Sequence, residues 1–279
     1  MRNRIFLSFD VEDWFQVENL RSVFPPESWE KQTLHVEENT ELILNLLDKY
    51  NIKATFFVLG WIAQKKPKLI KRIHENGHEV ASHGYGHLLN YNLSKDELIE
   101  DLKKSKEILE NIIEDEVIGY RAPSFSISDE LLEILFNLGF KYDSSYNAFS
   151  SHDRYGSIST TKDKNGPFKH DSGIIEIPLP LVNVFNMKVP ISGGGYFRIY
   201  PLRIFDKLVN KYMKNNEEYV FYMHPWEFDI KQPKIKNIPL NYRIRHYFGI
   251  NKSYKKLDTL LSRYKDYNFE KMKNIIEEF

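Results

Sequence analysis

The stretch IFLSFDVEDW, residues 5–14, decides the fold that this sequence predicts. Its first half, residues 5–9, is a short apolar run typical of a strand that is buried on both faces. The acids Asp10, Glu12 and Asp13 follow directly. We therefore expect a buried first strand whose end delivers carboxylates to a site.

Runs typical of strands and of helices alternate behind this stretch. β-branched and aromatic residues predict strands, and apolar residues at helical spacing predict helices between them. The predicted strands are residues 5–9, 53–59, 78–82, 117–120, 140–143, 174–179 and 219–223. The predicted helices are residues 36–50, 67–74, 129–138, 201–214 and a long helix whose capping box is Ser94 with Glu97. This alternation favours an α/β fold with a parallel sheet or barrel.

Two segments interrupt the alternation. Residues 14–34 and 144–173 are predicted to be long loops, which in compact domains often bind ligands or act as lids. The tail after residue 229 is rich in Lys and Tyr, and a helical pattern over residues 254–264 predicts that it covers one end of the barrel. We expect one domain over residues 1–279, with a helical C-terminal extension after about residue 230.

Composition restricts the chemistry. The formal net charge is zero, so no overall field attracts nucleic acid, and a nucleic-acid partner is not expected. The chain has no cysteine, so a metal has to be held by His, Asp or Glu. No signal peptide and no transmembrane run are recognisable, which predicts a cytoplasmic protein that can associate loosely with the inner membrane face. The oligomeric state is left open.

Two histidines four residues apart, His83 and His87, form the strongest single motif. They lie in the stretch SHGYGH at the end of a predicted strand, where Gly84 and Gly86 argue against a helix. Two imidazoles that converge from one turn are natural ligands for zinc or a similar divalent ion, which also needs a carboxylate and an open position for water. The alternative is a pair of exposed loop histidines without a role.

The clustered acids after the first strand are the matching carboxylates. Acids this close repel each other, and a bound dication relieves that repulsion, so the cluster predicts a metal and general-base site. Glu12 shares a strand face with Asp10 if the chain stays extended, whereas Asp13 reaches the site if the chain turns at Val11. Both are predicted ligands, and only one is expected to bind.

Three more polar residues end predicted strands. His224, in the stretch HPWE, can be a general acid with a pKa near working pH. Arg121 can orient an ionised Asp10, and Asp143 can pair with His224 and tune its basicity. The alternative for each is a structural role in the core or in an ordinary ion pair.

In this order along the chain, the motifs resemble the polysaccharide deacetylase family, of the carbohydrate esterase family four type. That family has an aspartate pair, a His-x-x-x-His motif, an Arg-x-Pro motif, a later Asp and a closing His, and all five have counterparts between Phe9 and Glu227. The subgroup that the chain resembles includes peptidoglycan deacetylases, metal-independent allantoinases and exopolysaccharide-locus deacetylases. The stretch SGGGYFR, residues 192–198, resembles the last of these. The resemblance implies an irregular (β/α) barrel with about seven strands.

The resemblance also implies a role for each matched residue. The matched roles are base for Asp10, metal ligands for His83 and His87, orienting residue for Arg121, tuning carboxylate for Asp143, acid for His224 and oxyanion donor for the backbone N–H of Ser124. One departure is that Val11 follows Asp10, where the commonest family pattern has adjacent aspartates. The third ligand therefore stays open between Glu12 and Asp13.

The activity implied is hydrolysis of N-acetyl or O-acetyl groups on a carbohydrate or a polysaccharide precursor. The expected cofactor is a divalent metal, Zn first, with Co, Ni, Fe or Mn as alternatives. Residues expected to bind the sugar are Trp14, Tyr196, Arg198 and Trp226. The rival interpretations are a metal-independent, allantoinase-like amidase and a carbohydrate-binding protein that has lost catalysis.

Overall fold

The computed structural model describes residues 3–149, 154–159, 166–185 and 187–279. Residues 150–153 and 160–165 of the predicted loop over 144–173 lie outside the described residues. Strands within the described ranges are β1 Arg4–Val11, β2 Thr55–Val58, β3 Glu79–Ser82, β4 Gly119–Tyr120, β5 Tyr142–Asp143, β6 Phe168–Lys169, β7 Ile175–Glu176, β8 Leu181–Val184, β9 Met187–Pro190, β10 Glu218–Met223 and β11 Asn268–Glu270. The helices there are α1 Val36–Lys49, α2 Gly60–Lys65, α3 Pro67–Glu75, α4 Lys95–Ile113, α5 Asp129–Asn137, α6 Gly194–Ile199, α7 Leu202–Met213, α8 Leu240–Tyr247 and α9 Ile250–Tyr264.

The main sheet is mostly parallel. Its strands follow the order β10, β1, β2, β3, β4, β5, β7 and β6, and only β6 runs antiparallel to its neighbour. The short strand β11 pairs in parallel with the first residues of β1, and β8 with β9 forms a separate hairpin. Within the described residues this sheet has nine strands, more than the seven or so predicted. It curls but stays open as a half-barrel, and the predicted α/β fold with a distorted barrel is confirmed.

Successive side chains of β1 point alternately towards two different apolar clusters. Ile5, Leu7, Phe9 and Val11 belong to the large apolar cluster that includes the buried faces of the helices. Phe6 belongs to a second cluster inside the curl of the sheet. Since successive side chains of a strand point to opposite faces, Ser8 and Asp10 lie on the inner side with Phe6. The inner face therefore changes from apolar to polar towards the carboxyl end of β1.

The capping box predicted for α4 is confirmed. The Ser94 hydroxyl accepts from the Glu97 backbone N–H, and the Glu97 carboxylate accepts from the Ser94 N–H, which is the predicted capping box of α4. Helix α2 was not predicted, because it is only six residues long and lacks a capping side chain at its start. The tail predicted as helical also contributes the strand β11, whose three residues are too short for a periodic signal.

Among the described residues, none of the helices is long and apolar enough to cross a membrane.

Candidate metal centre

The polar side chains of the centre follow the carboxyl ends of parallel strands. Glu12 comes directly after β1, His83 after β3, Arg121 after β4 and His224 after β10. Carboxyl ends of parallel strands meet at one edge of the sheet, which is where α/β folds build their sites. Residues far apart in the chain are thereby brought to one place.

Three of these side chains form a compact donor set. One ligand atom each from Glu12, His83 and His87 lies within 4.8 Å of the others, and all three residues are buried. A carboxylate and two imidazoles are a donor set suited to zinc or a related divalent ion, with a position left for water. This group is consistent with a divalent metal site.

His83 is held in the tautomer that a metal ligand needs. Its Nδ1 lies 2.7 Å from the backbone oxygen of Arg121, which can only accept, so Nδ1 carries the proton. Burial lowers the pKa of His83 to about 4, so the ring is neutral near pH 7. Its Nε2 lone pair is therefore available to a cation, in the manner of ligands fixed by a second hydrogen bond.

The contact between Glu12 and His87 also fits a shared ion. Glu12 Oε2 lies 2.7 Å from His87 Nε2, but the pair is not aligned as a hydrogen bond, and this buried oxygen has no other hydrogen-bond partner in the described chain. Burial opposes ionisation of Glu12, yet the nearby imidazoles, led by His87, hold its pKa below the ordinary value. An ionised carboxylate oxygen and an imidazole nitrogen that lie side by side are donors of the kinds that a divalent metal takes.

Asp13 lies outside this donor set. Its Oδ2 accepts from the backbone N–H groups of His35 and Val36, at 2.7 and 2.8 Å, and its Oδ1 accepts from the N–H of Trp14. Val36 is the first residue of α1, so Asp13 satisfies free donors at a helix N-terminus. Burial raises the pKa of Asp13 to about 6 despite these hydrogen bonds. Of the two predicted acids, the structure brings Glu12 to the histidines.

Asp10 sits beside the donor set and is held by Arg121. Arg121 Nη1 donates to Asp10 Oδ1 at 2.7 Å and also to Ser8 Oγ, while its Nε donates to the backbone oxygen of Ser144. The guanidinium is fully buried over the ring of Phe57. Asp10 Oδ2 faces His224 Nε2 at 3.8 Å. Arg121 and Asp10 therefore meet as the sequence predicted.

His224 is paired with Glu227 and not with Asp143. His224 Nδ1 lies 2.7 Å from Glu227 Oε1. Burial disfavours the charged ring, but the hydrogen bond to Glu227, followed by the charge of Glu12, raises the pKa of His224 to about 9. Asp143 Oδ1 instead accepts from Ser145 Oγ at 2.7 Å, and the carboxyl group is linked to Glu176. The expected contact between Asp143 and His224 is thus absent, because Ser145 and, from the neighbouring strand β7, Glu176 engage the Asp143 carboxyl group.

Glu227 was missed in the sequence although a local signal was available. Proline follows His224 and opens the short 3-10 helix Pro225–Phe228, in which Glu227 is the third residue. This turn folds the Glu227 carboxylate back on His224, where Oε1 also accepts from the backbone N–H at 3.1 Å. A glutamate three positions after the N-cap residue, whose side chain accepts from the N-cap backbone N–H, is a recognised capping pattern.

The centre opens into a cavity of about 160 Å³. Tyr196, Trp226 and Ser124 line this cavity together with Asp10 and His224. Trp226 donates from Nε1 to Glu12 Oε1 at 3.0 Å, so one aromatic ring both borders the cavity and positions the Glu12 carboxylate. The backbone of Ser124 is left-handed, with φ of 51°, and its N–H has no acceptor in the part of the chain that the structure describes.

Two residues predicted to bind sugar do not line the cavity. Trp14 is buried edge-on against Phe15 and Phe24. Arg198 is also buried, with Nε 2.5 Å from Glu227 Oε2, and its Nη groups donate to backbone oxygens of the α8 segment. Both side chains are therefore part of the packing that supports the centre, since neither presents a polar or aromatic face to the cavity.

The two halves of the chain match different families. Residues 4–142 match the polysaccharide deacetylase family. Residues 144–277 match a domain of unknown function, DUF3473. The candidate ligands Glu12, His83 and His87 lie in the first match together with Arg121, whereas His224 and Glu227 lie in the second.

Curated relatives are similar to parts of the chain. A peptidoglycan-N-acetylglucosamine deacetylase of Bacillus cereus is 30% identical over 102 residues, which is 37% of this chain and 47% of the relative. A peptidoglycan deacetylase of Helicobacter pylori is 34% identical over 103 residues, or 37% of this chain and 35% of the relative. The chain thus spans less than half the length of these relatives.

Solved structures share the fold at low identity. A Mycobacterium smegmatis protein assigned to the polysaccharide deacetylases has a TM-score of 0.66 at 20% identity, covering 99% of this chain and 89% of that one. Puue allantoinase has a TM-score of 0.60 at 14% identity, covering 98% and 89%. A CE4-family pseudoenzyme of Bacillus anthracis has a TM-score of 0.57 at 16% identity, covering 99% and 66%. At such identities the likeness concerns the fold alone.

Proposed function

Since the chain belongs to the polysaccharide deacetylase family through residues 4–142, we propose that it is a metal-dependent hydrolase that removes N-acetyl groups from a carbohydrate. The observation that carries this proposal is the buried set of Glu12, His83 and His87 beside Asp10 and His224. An acid, a base and a metal site in one cavity are the parts that amide hydrolysis needs. Zinc is the proposed metal.

A divalent ion held by the three ligands would act as a Lewis acid that activates water and polarises an acetyl carbonyl. Asp10, fixed by Arg121, accepts the proton of the attacking water. The free N–H of Ser124 donates to the oxygen on which negative charge develops, an interaction that is often the largest single contribution to rate. His224, protonated through its contact with Glu227, donates a proton to the leaving nitrogen, so that acetate and an amine separate.

The main test is release of acetate. The purified protein, loaded with Zn²⁺, is expected to release acetate from N-acetylated oligosaccharides and to lose that activity on chelation. Metal content measured alongside is expected to approach one ion per chain. Acetate is assayed with chito-oligosaccharides and with peptidoglycan fragments, and ring opening of allantoin to allantoate is measured separately as a ring-amide control.

Three results would contradict the proposal. Hydrolysis of allantoin by the metal-free protein would favour the metal-independent amidase. Sugar binding by the metal-loaded protein, with no acetate released from any acetylated sugar in the panel, would favour a non-catalytic carbohydrate-binding protein. Activity that survives chelation and is restored by no added metal would also overturn the metal requirement.

The pairing of His224 with Glu227 predicts a shift in pH dependence. Replacing Glu227 with Gln removes a charge-assisted hydrogen bond worth about 1.5–3 kcal/mol, and one pKa unit corresponds to about 1.4 kcal/mol. The pKa of His224 should therefore fall by about 1–2 units. Because the proton donor has to be protonated, activity on the alkaline side should be lost at a correspondingly lower pH.

The matched control for this shift is Asp229→Asn. Asp229 Oδ2 lies 2.6 Å from His35 Nδ1, so this variant also weakens a partly buried contact between a carboxylate and a histidine, but away from the cavity. Both variants should lower thermal stability, and only Glu227→Gln should move the pH profile of kcat. An unmoved profile in folded Glu227→Gln would contradict the role given to Glu227.

A further inference from the structure

Positive charge is concentrated in one segment of a chain that is neutral overall. Lys and Arg number 39 in the whole chain, as do Asp and Glu. Residues 230–257, however, contain eight Lys or Arg residues and no Asp or Glu. Such a block of one sign, placed in a neutral protein, forms a local positive field that can recognise an anionic surface.

Part of this charge is already used within the fold. Lys231 pairs with Glu38, and the ammonium of Lys256 donates to the backbone oxygens of Phe197 and Tyr200. The remaining exposed cations make no ion pair with any part of the chain that the structure describes; they are Lys234, Lys236, Arg243, Lys252 and Lys255. These five side chains are therefore available to an external anion.

An exposed apolar stripe lies among these cations. Leu240, Ile244 and Phe248 are 63%, 55% and 49% exposed. Their spacing of four residues places them along one face of α8 and the residue that caps it. Soluble surfaces rarely leave three large apolar side chains in one row without a partner.

The apolar stripe and the cations share one surface. A groove of this surface is lined by Leu240, Ile244 and Phe248 together with Lys234, Lys236 and Arg243. Phe248 also borders a second groove, which contains Lys252 and Lys255. We call these eight residues the basic apolar surface: Lys234, Lys236, Leu240, Arg243, Ile244, Phe248, Lys252 and Lys255.

The chemistry of this surface selects its partner. Nucleic acid would engage the cations but gain nothing from Leu240 or Ile244. A bilayer with anionic headgroups satisfies both, because apolar side chains enter the boundary of the acyl chains while Lys and Arg bind phosphates. We propose that the basic apolar surface docks the protein on an anionic lipid bilayer.

Docking would place the cavity close to the membrane. Arg245, in α8, lines the cavity, and Ile199 borders both the cavity and the groove that contains Lys252. A substrate carried on a lipid would therefore meet the cavity without leaving the bilayer surface. The docking itself does not depend on hydrolytic activity, so its test stands apart from acetate release.

The test is flotation with vesicles of defined composition. The full chain should float with vesicles of phosphatidylcholine and phosphatidylglycerol in equal amounts, and should not float with phosphatidylcholine alone. Each basic residue near an anionic surface raises binding about fivefold, so Lys234→Gln, Lys236→Gln and Lys252→Gln together should weaken binding by roughly 100-fold. Leu240→Ser with Ile244→Ser should also weaken binding, although the charge is unchanged.

Each control variant removes as many lysines or apolar side chains as the variant with which it is compared. Lys71→Gln, Lys103→Gln and Lys141→Gln remove three exposed lysines elsewhere, and Leu42→Ser with Phe136→Ser removes two exposed apolar side chains. Both controls should float as the unchanged protein does, and circular dichroism should show all variants folded.

Several outcomes would overturn the proposal. One is flotation with neutral vesicles that equals flotation with anionic vesicles. Another is an equal loss of vesicle binding in the lysine variant of the surface and in its lysine control. A third is unchanged vesicle binding in folded Leu240→Ser/Ile244→Ser. Binding of a random DNA duplex that competes fully with vesicles would indicate a general polyanion site. A dimer in sedimentation that the Leu240→Ser/Ile244→Ser variant dissolves would assign the stripe to a second copy of the chain.

Discussion

Replacing Asp10 with Asn is expected to lower kcat by about 10²- to 10⁴-fold, the usual contribution of a general base. Asn has nearly the same shape and can still accept a hydrogen bond from Arg121, whose Nη1 lies 2.7 Å from Asp10 Oδ1. It cannot take a proton from water. The three proposed ligands are untouched, so the variant should bind Zn²⁺ as the unchanged protein does.

Metal content and acetate release from one preparation check this expectation. Ser8→Ala is the matched control. It removes Ser8 Oγ, which lies 2.9 Å from Arg121 Nη1, and leaves the carboxylates of Asp10 and Glu12 in place. The control should retain most of its activity. Full activity in Asp10→Asn would show that another group accepts the proton, and loss of the metal in that variant would show that Asp10 is a ligand.

The positions of the site residues were predictable because they rest on strand ends. The apolar run of β1, the short run of β3 and the aromatic run of β10 each show in the sequence, and each is followed by a polar residue. In a parallel sheet, that local pattern alone brings Glu12, His83 and His224 to one edge. No knowledge of long-range packing is needed for this step.

The choice of partners among those residues was less predictable. Asp143 ends β5 as expected, but Ser145 and Glu176 engage its carboxyl group before it can reach His224. Burial raises the pKa of Asp143 to about 6, which further separates its behaviour from that of a free carboxylate. Which of several acids pairs with a histidine depends on side-chain positions over a few ångströms, and spacing in the sequence does not report these.

Aromatic and charged residues near the site show the same limit. Trp14 and Trp226 look alike in sequence, as aromatic residues next to acids, yet Trp14 is packed in the core and Trp226 lines the cavity. Arg198 is held by Glu227 and by backbone oxygens of a segment almost 50 residues later. Such contacts follow from how the C-terminal segment packs on the barrel. The periodic patterns in the sequence predict helices but do not report this packing.

The sequence leaves open whether Glu12 or Asp13 is the third metal ligand. Variants of these two acids are expected to differ most sharply in Zn²⁺ affinity. Replacing Glu12 with Ala should weaken Zn²⁺ binding by more than the roughly 10- to 100-fold typical of losing a supporting hydrogen bond, because a direct ligand is removed. Replacing Asp13 with Ala should leave Zn²⁺ affinity within a few-fold and instead lower stability by about 1–2 kcal/mol, the cost of a lost helix cap. The reason is that Asp13 accepts from the N–H groups of His35 and Val36 at the start of α1.

Titration with a metal indicator and urea unfolding of both metal-free variants separate these effects. Glu12→Gln serves as a second ligand variant, since it keeps the acceptor for Trp226 Nε1 at 3.0 Å while removing the charge. It should lose metal as Glu12→Ala does, with less effect on folding. If Asp13→Ala lost the metal while the folded Glu12 variants kept it, the chain would have to turn at Val11 when the ion binds, and the donor set of Glu12, His83 and His87 would be wrong.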